Sequence, residues 1–257
     1  MHNETAEAAV HTGPHISIKP ETLTHLFGFP VTNSYITSII VIVLFIIIGI
    51  IYSQQINKQH KSGFFYTIHF LLKTLHTFFA TLVGHTNADA FFPLFSGLFI
   101  YILLQNWFGL LPGVGSIMVK ITDHGEEIMA PLLRGSTADL NTTLALALVS
   151  FAAIQYLGVK HLGLKTYVSK FLNFTNPLNF VIGLFELISE FSRVISFSFR
   201  LFGNIFAGEV MLAIIAFLVP VLVPFPFLIM EIFVGVLQAF VFAMLTAVFV
   251  NLAISHH

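Results

Sequence analysis

The sequence contains no cysteine and few charged residues. None of its 257 residues is Cys, and Asp, Glu, Lys and Arg together make up 9%. The absence of cysteine excludes disulfides, thiol chemistry and thiolate metal sites. Soluble domains carry about 25% charged residues, so this chain lacks the charges to cover a surface that faces water. The net charge of −1 gives no electrostatic reason to bind nucleic acid.

Long apolar stretches fill most of the chain instead, since 56% of its residues are hydrophobic. A helix needs roughly 20 apolar residues to cross a bilayer core of about 30 Å. Five stretches meet this requirement: 34–52, about 91–111, about 140–158, about 177–219 and 227–253. The sequence therefore predicts an all-α polytopic membrane protein, with an extracytoplasmic N-terminal segment 1–33 and a single membrane domain 34–257.

The fourth stretch is too long for one upright span. At about 43 residues it must tilt, kink or fold as a hairpin within the membrane. Pro220, Pro224 and Pro226 are expected to separate it from the fifth stretch, because proline disrupts helix interiors.

The lysines and arginines between the spans predict the orientation. Three lysines follow the first span and three follow the third: Lys58, Lys61, Lys73, Lys160, Lys165 and Lys170. The other side has Lys19, Lys120 and Arg134. The positive charge of the last two is offset by three acidic residues in the same loop, Asp123, Glu126 and Glu127. The positive-inside rule places the N-terminus outside, and five crossings place the C-terminus inside. A hairpin in 177–219 would reverse the C-terminus.

Two further segments are not predicted to cross the membrane. In 64–84, His69, Lys73 and His76 share one helical face, which is typical of a helix in the membrane interface. A metal site at His69 and His76 is the alternative, but residues seven apart are about 10 Å apart along the axis, so no metal is expected. The polar loop 112–139 ends at Asp139, which is predicted to cap the next helix.

The last third of the chain keeps a small set of charges. From residue 171 onward there is no lysine, and the charged residues are Glu186, Glu190, Arg193, Arg200, Glu209 and Glu231. An arginine at the centre of a membrane helix costs about 2.5–3.5 kcal/mol on insertion scales. Such residues are retained where they pair, line water or perform a function.

Their spacing places most of them in a polar stripe. At 100° per residue, six side chains lie within about 40° of one direction: Glu186, Ser189, Arg193, Ser196, Arg200 and Asn204. Glu209 lies on the opposite face from Arg200, about 14 Å further along the axis. Glu231 and Gln238 share one face of the last segment. If these two segments pack together, the polar groups line a seam.

Ion pairing that joins two helices would explain Glu190 and Arg193, and Glu186 with them. It explains Arg200 less well, because no acidic residue lies three or four positions away, so its partner must come from elsewhere in the fold or from another chain. Arginine cannot release its proton, whereas glutamate can relay protons, and Asn, Gln and Ser can hold ordered water. A fixed cation flanked by titratable acids suits two proton paths that must not join.

Four motifs resemble one known family. They are NWFGLLP at 106–112, ADLNTTL at 138–144, SFRLFGNIFAGE at 198–209 and LQAFVF at 237–242. Their order and the span pattern resemble subunit a of the rotary F-type ATP synthase, bacterial type. The resemblance does not extend to residues 1–33.

The resemblance implies a stator subunit beside a rotating ring of c subunits, held with the peripheral stalk b subunits in the bacterial plasma (inner) membrane. Two steeply tilted helices at about 177–253 would face the ring, and protons would pass to and from ring carboxylates through two half-channels. Arg200 matches the family's essential arginine, which separates them. The outer half-channel and the surroundings of the arginine are implied at Glu209, Asn204 and Gln238, with Glu231 as a second proton carrier. The inner one is implied at Glu186, Ser189 and Ser196.

Two other functions remain to be compared with this one. A secondary ion-coupled transporter would show repeat symmetry and broken helices, and neither is evident. A structural scaffold would explain Arg193 and Glu190 but not four matched motifs. The chain has no GxxxxGK[ST] phosphate loop, so it is expected to bind no ATP and no cofactor.

Overall fold

The computed structural model describes residues 18–254, apart from residues 27, 59, 116, 124, 125, 172–176, 220 and 221. The described helices are α1 (Asn33–Ile56), α2 (Gly63–Val83), α3 (His85–Gly109), α4 (Leu140–Leu162), α5 (Leu164–Phe171), α6 (Pro177–Leu218) and α7 (Pro224–Ile254). The strands are β1 (Thr22–Leu26), β2 (Phe29–Thr32), β3 (Pro112–Gly115), β4 (Met118–Asp123) and β5 (Glu126–Pro131), and a 3-10 helix spans Ser136–Ala138. Residues 1–17 of the N-terminal segment and Pro220 lie outside the described residues.

Five of these helices are long and apolar enough to cross a membrane: α1, α3, α4, α6 and α7. This confirms the five predicted spans. α6 is one continuous helix of 42 residues, so the alternative of a hairpin within it is wrong. Its length of about 63 Å is twice the thickness of a bilayer core, which is about 30 Å. The predicted tilt is the simplest way to fit it.

Helix α7 begins earlier than the sequence suggested. Pro224 is its first residue and Pro226 lies in its first turn, so only the predicted start at 227 is wrong. The first N–H groups of a helix have no intrahelical acceptor, so proline is tolerated at these positions.

Two β-hairpins lie beside the helices at one end of the bundle. β1 pairs with β2, and β4 pairs with β5 in antiparallel register from Met118↔Pro131 to Asp123↔Glu126. Segment 112–139 was expected to be only a polar loop, and 22–32 had no assignment. We call this end, with the starts of α1, α4 and α7, the hairpin end. The opposite end carries Lys58, Lys61, Lys160 and Lys165 and is called the basic end.

Side-chain hydrogen bonds cap the N-termini of several helices. Asp139 Oδ1 accepts a hydrogen bond from the Asn141 amide at 2.9 Å, which confirms the predicted cap of α4. Burial raises the pKa of the Asp139 carboxyl group, although the Asn141 amide and the nearby Arg134 oppose that rise. Thr32 and Ser62 cap α1 and α2 in the same way.

The predicted helix at 64–84 is present as α2, which packs against α3 and α7. Its two histidines have different partners. His69 Nδ1 lies 3.1 Å from the Tyr52 hydroxyl group, and His76 Nε2 lies 2.7 Å from Asp89 Oδ1 on α3. The location of α2 in the membrane interface stays a prediction.

Small and aromatic residues let α7 pack at the centre of the bundle. Ala239, Ala243 and Ala247 are fully buried on α7, and small residues allow membrane helices to approach closely. Phe242 of α7 packs on Phe197 of α6, with 5.1 Å between ring centroids. This packing fixes the position of α6 beside α7, where most of the candidate residues lie.

Candidate functional site

Arg200 lies on α6 with its side chain on the surface of the protein. Its Nη2 donates a hydrogen bond to Ser196 Oγ at 3.3 Å, one helical turn earlier. Within the described part of the chain, no carboxylate forms an ion pair with it. The sequence left two sources open for a counter-ion, the rest of the fold and another chain, and the described residues do not supply one.

One turn after Arg200, an amide pair joins the two long helices. Asn204 Nδ2 of α6 donates to Gln238 Oε1 of α7 at 2.9 Å. Gln238 is buried, whereas Asn204 is exposed on the same side of α6 as Arg200. The predicted polar seam between these helices therefore begins directly beside the arginine.

Glu231 continues this seam along α7. It lies seven residues before Gln238, is only 3% exposed, and borders the same cavity as Asn204 and Gln238, of about 500 Å³. A Cβ atom at Gly208 of α6 would overlap the Glu231 carboxyl group. The glycine therefore makes the space in which this carboxyl group lies between the helices.

Glu209 lies on the other side of α6, as its spacing predicted. One of its carboxylate oxygens is 3.5 Å from Arg134 Nε, and the two residues border a cavity of about 220 Å³. Glu231 and Asn106 border the same cavity. Glu231 thus contacts both cavities and connects the surroundings of Glu209 with those of Asn204 and Gln238.

Arg134 was missed as a site residue. It was counted only as a loop cation diluted by Asp123, Glu126 and Glu127, but it is 6% exposed and pairs with Glu209 on α6. Its position within a short apolar stretch, next to Leu132 and Leu133, is the only signal in the sequence. The identity of its partner, 75 positions later, has no local signature.

The motif at 106–112 docks α3 against the turn of α7 that carries Glu231. Asn106 Nδ2 donates to the carbonyl oxygen of Gly235 at 2.9 Å, and Trp107 Nε1 donates to that of Ile232 at 3.2 Å. A Cβ atom at Gly235 would lie 3.2 Å from Asn106 Cβ, so a glycine permits this close approach. Asn106 and Trp107 thereby fix the position of Glu231 along the axis of the bundle relative to α3.

The other predicted residues lie on α6 between Arg200 and the basic end. Ser189 and Ser196 are exposed on the same side as Arg200, and Glu186 is half-buried. These hydroxyl and carboxyl groups extend the polar stripe away from the cavities that contain Glu209 and Glu231. The structure therefore brings Glu209, Glu231, Asn204 and Gln238 together, while Glu186, Ser189 and Ser196 form a separate row.

The other charged pair on α6, formed by Glu190 and Arg193, connects this helix with α4 and α7. Arg193 Nη1 lies 2.7 Å from Glu190 Oε1, and its guanidinium carbon lies 4.3 Å above the Phe249 ring of α7. Gln155 of α4 donates to Glu190 at 3.1 Å and accepts from the Tyr167 hydroxyl group at 2.6 Å. Burial, and to a lesser extent the charge of Glu190, raises the pKa of Tyr167 to about 12. This network confirms the predicted ion pair of Arg193 and Glu190.

The arrangement combines titratable carboxyl groups with amide and hydroxyl groups, and its described residues hold no cluster suited to a metal. Within the described residues, no group of three His, Asp or Glu side chains lies close enough to bind a metal ion. Titratable carboxyl groups border two cavities on the hairpin side of Arg200, and a row of hydroxyl groups lies on its other side.

Comparison with known families adds one finding: the family model described as ATP synthase A chain matches residues 35–251. The match includes all four motifs and every candidate residue.

Proposed function

This chain belongs to the ATP synthase A chain family, and from that premise we propose that it conducts protons through two offset half-channels that end at a ring of c subunits. As a member of the family it is a membrane-embedded subunit of the ATP synthase and takes part in proton transport for ATP synthesis. The half-channels and the contact with the ring are the proposed part.

The outer half-channel runs from the hairpin end to Arg200. Protons enter the cavity bordered by Glu209, move to Glu231, which borders both cavities, and reach the amide pair of Asn204 and Gln238. The carboxyl groups take up and release protons, and the amides hold water between them. From there a proton passes to a carboxylate of the ring.

The inner half-channel follows the row of polar side chains on α6 towards the basic end. Ser196, Ser189 and Glu186 lie on it in that order, starting from Arg200. Arg200 stands between the two rows as a charge that cannot release its proton. It blocks direct proton transfer between the half-channels and attracts each arriving ring carboxylate in its ionised form.

One observation carries this proposal: Arg200 is exposed and has no carboxylate partner in the described part of the chain. An arginine in a membrane helix is costly, and the other arginine of α6, Arg193, has both an acidic partner and an aromatic one. A counter-ion supplied by a neighbouring subunit accounts for this difference.

Partners and orientation follow from the same proposal. The exposed side of α6 faces the c ring, the peripheral stalk b subunits hold the chain against rotation, and the lipid bilayer covers the apolar faces. The membrane is a bacterial plasma membrane, with the N-terminus outside and the C-terminus in the cytoplasm. The hairpin end is then extracytoplasmic, which agrees with the lysines at the basic end. Residues 34–257 act as a single membrane domain that follows segment 1–33.

Affinity purification tests membership in the complete complex. The chain, tagged and extracted in mild detergent, is expected to bring down a ring of small membrane subunits and an ATP-hydrolysing head. Purification of a stable chain without either would contradict the proposed partners.

Gly208→Ala tests whether the space for Glu231 matters. The new methyl group would occupy the position of the Glu231 carboxyl group, so the carboxyl group must shift from its place between the helices. We expect ATP-driven proton pumping per assembled complex to fall by roughly a factor of ten, since displacement by about 1 Å can cost that much or more. Gly49→Ala on α1, where nothing lies within 4 Å, is the matched control. Equal pumping in both variants would show that the position of Glu231 is unimportant.

A further inference from the structure

Residues 19–33 lie outside the part of the chain that the family model matches, yet they contact Arg134, which borders the cavity at Glu209. The match begins at residue 35. Residues 19–33 include β1 and β2 and end at the first residue of α1. We call residues 19–33 the N-terminal clasp.

The clasp holds Arg134 from the side opposite Glu209. The carbonyl oxygen of Lys19 accepts a hydrogen bond from Arg134 Nη1 at 3.1 Å, while Arg134 Nε faces the Glu209 carboxylate at 3.5 Å. The backbone amide of Arg134 also donates to Thr37 Oγ1 at 3.3 Å. Arg134 is 6% exposed, so its side chain is fixed between the clasp and α6.

Asn33 closes the clasp. Its side-chain Nδ2 donates to Glu21 Oε2 at 2.6 Å and to the carbonyl oxygen of Pro131 at 3.2 Å, and its backbone amide donates to the carbonyl oxygen of Glu21 at 3.1 Å. Asn33 is fully buried. One side chain therefore ties the start of the clasp to the end of β5, three residues before Arg134.

These contacts carry an inference about how protons enter. We propose that the N-terminal clasp is a positioning element of the outer half-channel, which holds the Arg134 guanidinium group beside Glu209 through Asn33, Glu21 and the Lys19 carbonyl group. Asn33 is a positioning residue, because its side chain bonds to Glu21 and Pro131 and does not contact Glu209 in the described hydrogen bonds. Glu21 accepts from Asn33 and also acts on Glu209 directly through its charge. This inference rests on the proposed function, since Glu209 must lie on the proton path.

The geometry explains why a clasp is useful here. Arginine has a long side chain with many rotamers, and fixing it requires contacts on more than one side. A guanidinium group that moved away from Glu209 would leave this half-buried carboxylate without its cation and alter proton transfer at this residue. The Asn33 side chain reaches both Glu21 and Pro131, so its loss would remove the bond within the clasp and the bond to β5 at once.

The test uses the intact ATP synthase in inverted membrane vesicles. Asn33→Ala is expected to lower ATP-driven proton pumping per complex by about tenfold, the size of effect that a misplaced group produces. Thr24→Ala, an exposed position in the same clasp, is the control and should pump normally. Equal pumping by Asn33→Ala and Thr24→Ala would overturn the inference.

A double-mutant cycle separates positioning from general damage. If the clasp acts through Glu209, Asn33→Ala should have little further effect on pumping in a Glu209→Gln background. Independent, multiplied effects would overturn the inference and leave the proposed half-channel intact. Normal pumping by Glu209→Gln itself would instead contradict the proposed function.

A second pair of variants covers the case in which Asn33→Ala prevents assembly. Glu21→Gln keeps an oxygen that accepts the hydrogen bond from Asn33, whereas Glu21→Ala removes it. Both variants remove the Glu21 charge that acts on Glu209, so pumping should fall further in Glu21→Ala than in Glu21→Gln. Equal pumping in these two variants would overturn the inference.

Discussion

Arg200→Ala is expected to abolish ATP-driven proton pumping while the ATP synthase still assembles. Arg200 is exposed on α6 and has no carboxylate partner within the described residues, so its loss leaves no unpaired acid inside the chain. It does remove the charge that separates the two half-channels and that attracts ring carboxylates. The expected measurement is acidification of inverted vesicles on addition of ATP, together with the amount of complex in the membrane.

Arg193→Ala is the matched control, because Arg193 is an arginine on the same helix with partners inside the chain. Its removal leaves the buried Glu190 without a cation, so it should lower thermal stability but leave pumping per assembled complex largely intact. Near-normal coupled pumping in Arg200→Ala would contradict the assigned role of Arg200. Loss of pumping in both variants through failed assembly would be visible in the amount of complex.

Glu231→Gln is expected to slow proton flux strongly without destabilising the protein. Glutamine has nearly the same shape and fits the space above Gly208, but it cannot take up and release a proton. Because Glu231 borders both cavities on the outer side, flux should fall by about tenfold, which corresponds to about 1.4 kcal/mol in the barrier. Proton flux through membranes stripped of the catalytic head measures this directly.

Glu190→Gln provides the comparison for this second variant. Glu190 is also a buried glutamate, but it belongs to the network of Arg193, Gln155 and Tyr167 and borders neither cavity of the outer path. Its replacement should affect stability and leave the flux nearly unchanged. Unchanged flux in Glu231→Gln would reduce Glu231 to a packing role.

The spans and the polar stripe could be predicted because they depend on local spacing. Hydrophobic length identified the five crossing helices, and a period of 3.6 residues placed Glu209 and Arg200 on different faces of α6. The cap at Asp139 was predictable for the same reason, since it depends on three consecutive residues. The start of α7 was placed too late because proline acts differently in a first turn than inside a helix.

Contacts between distant parts of the chain could not be predicted. The pairing of Arg134 with Glu209 joins residues 75 positions apart, and Asn106 reaches Gly235 over an even longer separation. Neither contact has a local pattern, because each depends on how complete helices pack. The two β-hairpins were missed because their strands are only four to six residues long, which is too short for a clear alternating pattern.

The motifs acquire physical roles once these contacts are known. Asn106 and Trp107 set the height of α7, Gly208 makes space for Glu231, and Thr143 of the second motif contacts Ser198 of α6 at 3.2 Å. Each motif thus contributes to the position of the two long helices around Arg200. The arginine itself remains exposed on α6.

Accessibility of single cysteines from each side of the membrane tests the two half-channels most directly. The chain has no native cysteine, so Ala207→Cys and Ser196→Cys each introduce a single thiol into it, and the unsubstituted complex is the control for labelling of other subunits. Ala207 borders the same cavity as Glu231 and Gln238, and Ser196 lies on the inner row. A membrane-impermeant thiol reagent should inhibit proton flux in Ala207→Cys only from the extracytoplasmic side and in Ser196→Cys only from the cytoplasmic side. Inhibition of both variants from the same side would contradict two half-channels separated by Arg200.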